Sequence, residues 1–220
     1  MSSRDRILQR LRSSVNAQDN SPARDPLTVA TGWQAPDPSL WVESFRQNLT
    51  DNHAEVFEVG EGQWQKLIVE QLTARGIKTL RCGNHSEGQA LVAAVQAAGN
   101  QAPDAACVTD MLDKTQVFKT IDAGFSVAMA GLAETGTLVV KTGPYEPRTL
   151  SLVPPLNIIL LRERDLFASF SALVASGALP DPMPTNVLLI SGPSKTADIQ
   201  QTLAYGAHGP KELIVLLVKD

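Results

Sequence analysis

The chain has 220 residues, 43% of them hydrophobic, and a chain of this size buries roughly 70% of its unfolded surface, enough for one substantial core. Nineteen basic against twenty-three acidic residues leave a formal charge of -4, so no bulk field draws in nucleic acid or anionic lipid. The two cysteines, Cys82 and Cys107, fit the reduced thiols of a cytoplasmic protein and fall short of the about four ligands that an iron–sulfur cluster or a zinc site takes, so no metal centre is expected in this chain.

In chain order, "MSSRDRILQRLRSS" carries Ile7, Leu8 and Leu11, and with Val15 these share one helical face, which predicts a short amphipathic docking helix. No apolar run reaches the roughly 18 residues of a membrane span. From Asn16 to Pro38 the chain holds four prolines and little periodicity, the mark of a connector. The expected division is therefore 1–38, helix and proline-rich connector, and 39–220, a globular body.

That body alternates. "SLWVESFRQNLTDN" has helical period, "AEVFEV" reads as a strand, and "QWQKLIVEQLTARG" as a helix closed by Gly76. "IKTLRC" (strand), "SEGQALVAAVQAAG" (helix), "ACV" (short strand), "MLDKTQVFKTID" (helix) and "FSVAMA" (strand) continue the pattern. "GTLVVKT" and "NIILLRE" are then separated by a proline-rich turn, so part of the sheet is expected to be antiparallel. "DLFASFSALVASG" reads as a helix with Phe167, Phe170, Leu173 and Val174 on one side, and "NVLLIS" and "ELIVLLVK" as strands buried on both faces. The fold expected is α/β, a three-layer sandwich with a mixed, mostly parallel sheet. Its ligand crevice is expected outside the carboxyl ends of the strands.

Two glycine patterns imitate nucleotide loops and fail on their context. Gly60-x-Gly62 has Gln65 where a third glycine belongs, and Arg81 and Cys82 close the next strand in place of an acidic residue. Gly131 and Gly136 are five apart, but Thr137 and Leu138 lead into a strand and not into a helix after Lys and Ser/Thr. What remains there is a loop presenting Glu134 and Thr135 between two strands.

Three places carry chemistry that suits a small anion. Arg148 follows Pro147 and can grip a carboxylate or phosphate with two parallel hydrogen bonds, or pair with Glu134 or Glu146. "ISGPSKTADIQQTLAYG" delivers the chain to Ser191 and Gly192. Ser194 or Thr196 is then expected to cap a helix with Asp198 in its first turn and Lys195 beside it. His208 stands between Gly206 and Gly209, a frame that presents an imidazole while the backbone stays close to a partner; the plain alternative is a structural histidine paired with Asp198 or a carbonyl.

The blocks "AETGTLVV", "RTLSLVPPLNIILL" and "SGPSKTADIQQTLAYGAHGPKELIVLLV" resemble the lactate utilization protein C family, the LUD-domain proteins. The likeness runs from about Glu134 to the carboxyl terminus, with weaker agreement from Ser39. The resemblance implies a sandwich similar to the sugar-phosphate isomerase and CoA-transferase group of folds (NagB/RpiA/CoA-transferase-like). It implies work in the oxidation of L-lactate to pyruvate beside two partner proteins that bear iron–sulfur clusters, with no cofactor in this chain, whose share is then assembly, substrate handling or completion of an electron path. The matched positions are Glu134, Thr135, Thr137, Arg148, Ser151, Ser191, Gly192, Ser194, Thr196, Asp198, His208 and Gly209.

In that reading Arg148 and the amides near Ser194 bind a small carboxylate, and His208, oriented by Asp198, accepts the hydroxyl proton. Fold analogy offers another reading: a stand-alone transferase or isomerase using Glu134 as nucleophile or base on an acyl or phosphorylated substrate. A ligand-sensing module is the third.

Overall fold

The computed structural model describes residues 3–16, 37–99, 102–108, 119–197, 203–205 and 209–219. The chain divides into two compact units, Met1–Gln34 and Ala35–Asp220. The first holds α1 (Ser3–Asn16), with Asp5 in its first turn, where a carboxylate suits the positive end of the helix dipole. Ile7 and Leu8 of α1 are exposed. No helix among the described residues is long and apolar enough to cross a membrane.

In the second unit Asp37 accepts the Ser39 amide and starts a 3-10 turn that runs into α2 (Trp41–Asp51). Next come β1 (Glu55–Gly60), α3 (Trp64–Ala74), β2 (Thr79–Cys82), α4 (Ser86–Ala97), β3 (Asp104–Cys107) and β4 (Ala123–Val127). Gly76, at φ +64°, turns the chain out of α3, a conformation that an added Cβ disfavours. The helix expected over "MLDKTQVFKTID" falls mostly outside the described residues. The chain then makes β5 (Ala130–Leu132), β6 (Thr137–Lys141), the one-turn α5 (Arg148–Leu152), β7 (Leu156–Arg162), β8 (Leu166–Phe167), α6 (Phe170–Ala175) and β9 (Val187–Ile190). It ends with β10 (Lys195–Ala197), β11 (Leu203–Tyr205) and β12 (Glu212–Lys219).

The fold is α/β, and its antiparallel pairing lies outside the large sheet. The six-stranded sheet runs β1-β12-β7-β4-β2-β3 with every neighbouring pair parallel. A four-stranded sheet runs β8-β5-β6-β9; β6 is antiparallel to β5 and β9, and β8 is parallel to β5. The antiparallel partners of β6 are thus β5 and β9, not β7. The chain changes sheets between β4 and β5: the Ala128 amide donates to Leu160 of the first sheet and the next amide, Met129, to Val139 of the second.

Three layers result. α3 and α4 pack on one face of the large sheet, where Trp64 stacks on Phe125 with ring centroids 5.7 Å apart. α2 and the small sheet pack on the other, bringing Phe45, Leu49, Leu138 and Val140 onto Ile159, Val215 and Leu217. Each such fully buried side chain contributes about 1.5–3 kcal/mol. The alternate residues of β12 serve both faces, which is why six consecutive positions are buried.

Three expectations about elements need correction. β9 has the same apolar composition as β12 but sits at the edge of the small sheet, with Leu189 54% exposed; an apolar run does not distinguish a centre from an edge. The helix expected over "DLFASFSALVASG" is confined to α6, because Leu166 and Phe167 pair with β5 and Ser169 then caps the helix by accepting the Ala172 amide. The helix expected after Ser194 is absent from its described parts: Lys195–Ala197 and Leu203–Tyr205 pair as an antiparallel ladder. A segment of that length is a marginal helix by itself, and strand pairing takes its backbone groups.

Candidate functional site

α5 is the first piece of the site. Gly124 of β4 has no Cβ, so the Leu150 carbonyl can lie directly against its backbone and α5 can seat on the sheet. This buries Ser151, whose hydroxyl lies 2.8 Å from that of Ser126 and whose carbonyl accepts Asn157 Nδ2 at 3.0 Å. Asn157 is 1% exposed, and its Oδ1 has no hydrogen-bond partner among the described residues.

Two loops face α5. After β9, Gly192 adopts φ +153° and passes so close to the Asn52 carbonyl that a Cβ would lie 2.9 Å from it. The Ser194 amide then donates to the Pro210 carbonyl at 2.8 Å, tying this loop to the approach of β12. Between α5 and the two loops is a cleft of about 220 Å³. Ser151 and Leu152 of α5, Asn157 of β7, Leu189 to Gly192, Ser194, Gly209, Pro210 and Leu213 form its wall. Among the described residues these side chains are all neutral, so this part of the wall offers a ligand hydroxyl and amide groups with an apolar border.

A chain of hydroxyls reaches this wall from the surface. Thr135 and Thr137 lie 2.6 Å apart, oxygen to oxygen, and Thr137 and Ser191 2.7 Å apart. Thr135 is exposed and Thr137 is 5% exposed. The turn that carries them is clamped: Asn48 Nδ2 donates to the carbonyls of Ala133 and Glu134, and the Glu134 amide donates to Ala168.

Of the residues singled out by sequence, the cleft wall collects Ser151, Ser191, Gly192, Ser194 and Gly209, while Thr135 and Thr137 join it through Ser191. Glu134 is exposed at the turn between β5 and β6. Arg148 is exposed as the first residue of a helix, not held in an extended approach to a strand, and it is not part of the wall. Thr196 lies in β10. Asp198 and His208 lie outside the described residues, and with the helix after Ser194 replaced by strands, its amides are not available as an anion nest.

The crevice lies at the carboxyl end of β9, as expected, but at the amino ends of strands of the large sheet. Asn157 and Leu213 are the second residues of β7 and β12, so the cleft is at the amino ends of those strands and at the carboxyl end of β9. The carboxyl ends hold ion pairs and a histidine–glutamate hydrogen bond. Arg162 meets Glu61 at 2.5 Å and Glu87 at 3.1 Å, Lys219 meets Glu58 at 2.9 Å, and His85 Nε2 lies 3.1 Å from Glu146 Oε2. His85 Nδ1 accepts the Gly88 amide at the start of α4, leaving Nε2 to carry the proton toward Glu146. Burial pushes both thiols, Cys82 and Cys107, upward.

Sequence reasoning passed over Asn157 and the His85–Glu146 pair. Asn157 had a readable signal, a lone amide opening the apolar run "LNIILL", since a polar group buried in a strand calls for partners. The pair had none, because its members are 61 residues apart.

Comparison with known proteins adds relatives to this geometry. A family model described as the LUD domain matches residues 42–218. An uncharacterised protein of Neisseria meningitidis serogroup B is 37% identical over 99% of this chain and 94% of its own length. The lactate utilization protein C of Halalkalibacterium halodurans is 33% identical over 45% of this chain and 45% of that protein, and its counterpart in Exiguobacterium sp. is 35% identical over the same shares; these two matches span less than half of either partner. The crystal structure of a DUF162 family protein from Deinococcus radiodurans has the same fold, with a TM-score of 0.57 at 19% identity over 83% of this chain and 99% of that one.

Proposed function

The chain belongs to the LUD-domain family, and from that premise we propose that it serves lactate utilization, holding a small carboxylate in the cleft at Ser151, Ser191 and Ser194. In this reading it is a component of an L-lactate-oxidising system in the cytoplasm, and the iron–sulfur clusters reside on partner proteins. Relatives named lactate utilization protein C support the physiological part.

The observation that carries the chemical part is the cleft itself. At about 220 Å³ it is smaller than the roughly 300–1,000 Å³ of pockets for drug-sized ligands, so it suits a molecule of a few heavy atoms. Hydroxyl donors on its wall can hold a carboxylate by charge-assisted hydrogen bonds. Oxidation of lactate to pyruvate releases two electrons and two protons, one from the hydroxyl and one from the carbinol carbon, the latter leaving with the electrons toward the partner proteins. The electrons go to the partners' clusters. His208, which directly precedes the wall residue Gly209, takes the hydroxyl proton in this scheme, with Asp198 as its orienting carboxylate.

The test is genetic and biochemical together. A clean deletion strain is grown on L-lactate with the wild-type chain or with Ser191→Ala returned, and the tagged chain is recovered from lactate-grown cells for metal analysis. Loss of growth restored only by the wild type, with iron in the recovered material, is the expected result. Normal growth of the deletion strain on L-lactate removes the proposal.

A further inference from the structure

We infer that the cleft selects the hydroxy acid over the corresponding keto acid, and that Asn157 is the residue that makes the choice. The inference rests on the carboxylate-binding reading above and adds to it the oxidation state of the ligand.

The orientation of the Asn157 amide is fixed. Asn157 Nδ2 donates to the Ser151 carbonyl at 3.0 Å. The reversed amide would set Oδ1 against that carbonyl, acceptor against acceptor, so the assignment follows from the hydrogen bond. Oδ1 is therefore the group left over. It is buried, the side chain is 1% exposed, and no described residue donates to it. Buried acceptors are nearly always satisfied in folded proteins, and this one belongs to a residue on the wall of the cleft.

What satisfies it is a ligand that brings a hydrogen. Serine hydroxyls donate or accept according to need, so Ser151, Ser191 and Ser194 do not distinguish a hydroxyl from a carbonyl. An amide oxygen only accepts. An α-hydroxy acid offers its O–H to Oδ1 while its carboxylate takes the serine hydroxyls. An α-keto acid of the same size places lone pairs against lone pairs. Sites built around a substrate hydroxyl reject analogues that lack it far more strongly than apolar pockets reject a missing methylene. Oxidation of the bound ligand thus removes the donor that held it, and the product leaves a site that no longer fits.

Calorimetric titration of the full chain with L-lactate, propanoate and pyruvate tests this. The expected order is L-lactate tightest, propanoate weaker by about tenfold or more, and pyruvate no better than propanoate. In Asn157→Leu the three affinities converge, and thermal melting establishes that this variant is folded; if it is not, the wild-type order decides alone. Equal affinity of the wild type for L-lactate and pyruvate overturns the selectivity and leaves the carboxylate reading standing. Absence of binding by all three acids removes both.

Discussion

Thr137 and Ser191, 54 residues apart in the chain, share a hydroxyl–hydroxyl hydrogen bond of 2.7 Å that couples the β5–β6 turn to the wall of the cleft. Thr135 extends the series by one more bond of 2.6 Å. Hydroxyls in series polarise one another. When Thr135 donates to Thr137 and Thr137 to Ser191, the Ser191 proton is turned toward the cleft.

Thr137→Val keeps the shape and removes the link. We expect L-lactate to bind roughly fivefold more weakly, the equivalent of about 1 kcal/mol for one hydrogen bond, although Thr137 is not part of the wall. Thr137→Ser restores affinity. Calorimetry on the two variants checks this; an unchanged constant in Thr137→Val shows that Ser191 needs no partner.

Gly136 is required by the same turn for a different reason. Its φ is +60°, and a Cβ would lie 2.7 Å from Asn48 Cβ and 2.8 Å from the Leu49 amide nitrogen. Backbone strain and the collision act together, so Gly136→Ala should cost about 1–3 kcal/mol, read as a lower midpoint in urea. The same substitution at Gly143, whose Cβ would meet nothing within 4 Å, is the control and should change little.

Acid should weaken the far end of the large sheet through Glu87. Burial pushes its carboxyl up, but hydrogen bonds from the Ser86 hydroxyl, its own backbone amide and Arg162, with the His85 ring nearby, outweigh that and hold it below the ordinary 4.5. The unfolded chain then binds the proton more readily than the folded one. Stability from this group is present above the ordinary value and is lost as pH falls through the folded one. Arg162→Ala removes the Arg162 hydrogen bond and should flatten the fall in the urea midpoint between about pH 5 and pH 3; an unchanged slope shows that Arg162 does not hold Glu87 down.

The thiols should be slow. Burial raises Cys82 and Cys107, and only the thiolate attacks a disulfide reagent. Cys82 is fully buried and Cys107 partly exposed, so Cys107 reacts first with a chromogenic disulfide near neutral pH, and both react fast only in denaturant. Rapid reaction of Cys82 in the folded chain contradicts this burial.

The parts of the fold that were legible in sequence are those with a period of their own. α2, α3, α4 and β12 each carry enough apolar positions to announce a face. β9 was legible as a strand but not as an edge, because Val187–Ile190 and the interior of β12 have the same composition and differ only in neighbours. The helix expected after Ser194 failed because short segments answer to pairing partners, which no local pattern names. At the cleft, Ser151, Ser191 and Ser194 were visible as hydroxyls in distinctive blocks. Asn157 was visible only as a lone amide opening an apolar run; its meaning comes from a buried oxygen with no donor among the described residues, and that follows only from where α5 sits.

The sheet change at Ala128 and Met129 bears on how the molecule moves. Successive amides bond to different sheets, so no slack joins the two and they cannot hinge apart like jaws. At the lip of the cleft, the amide bond from Ser194 to the Pro210 carbonyl ties two loops to one another, so the approach to β12 and the turn after β9 move as a joined pair.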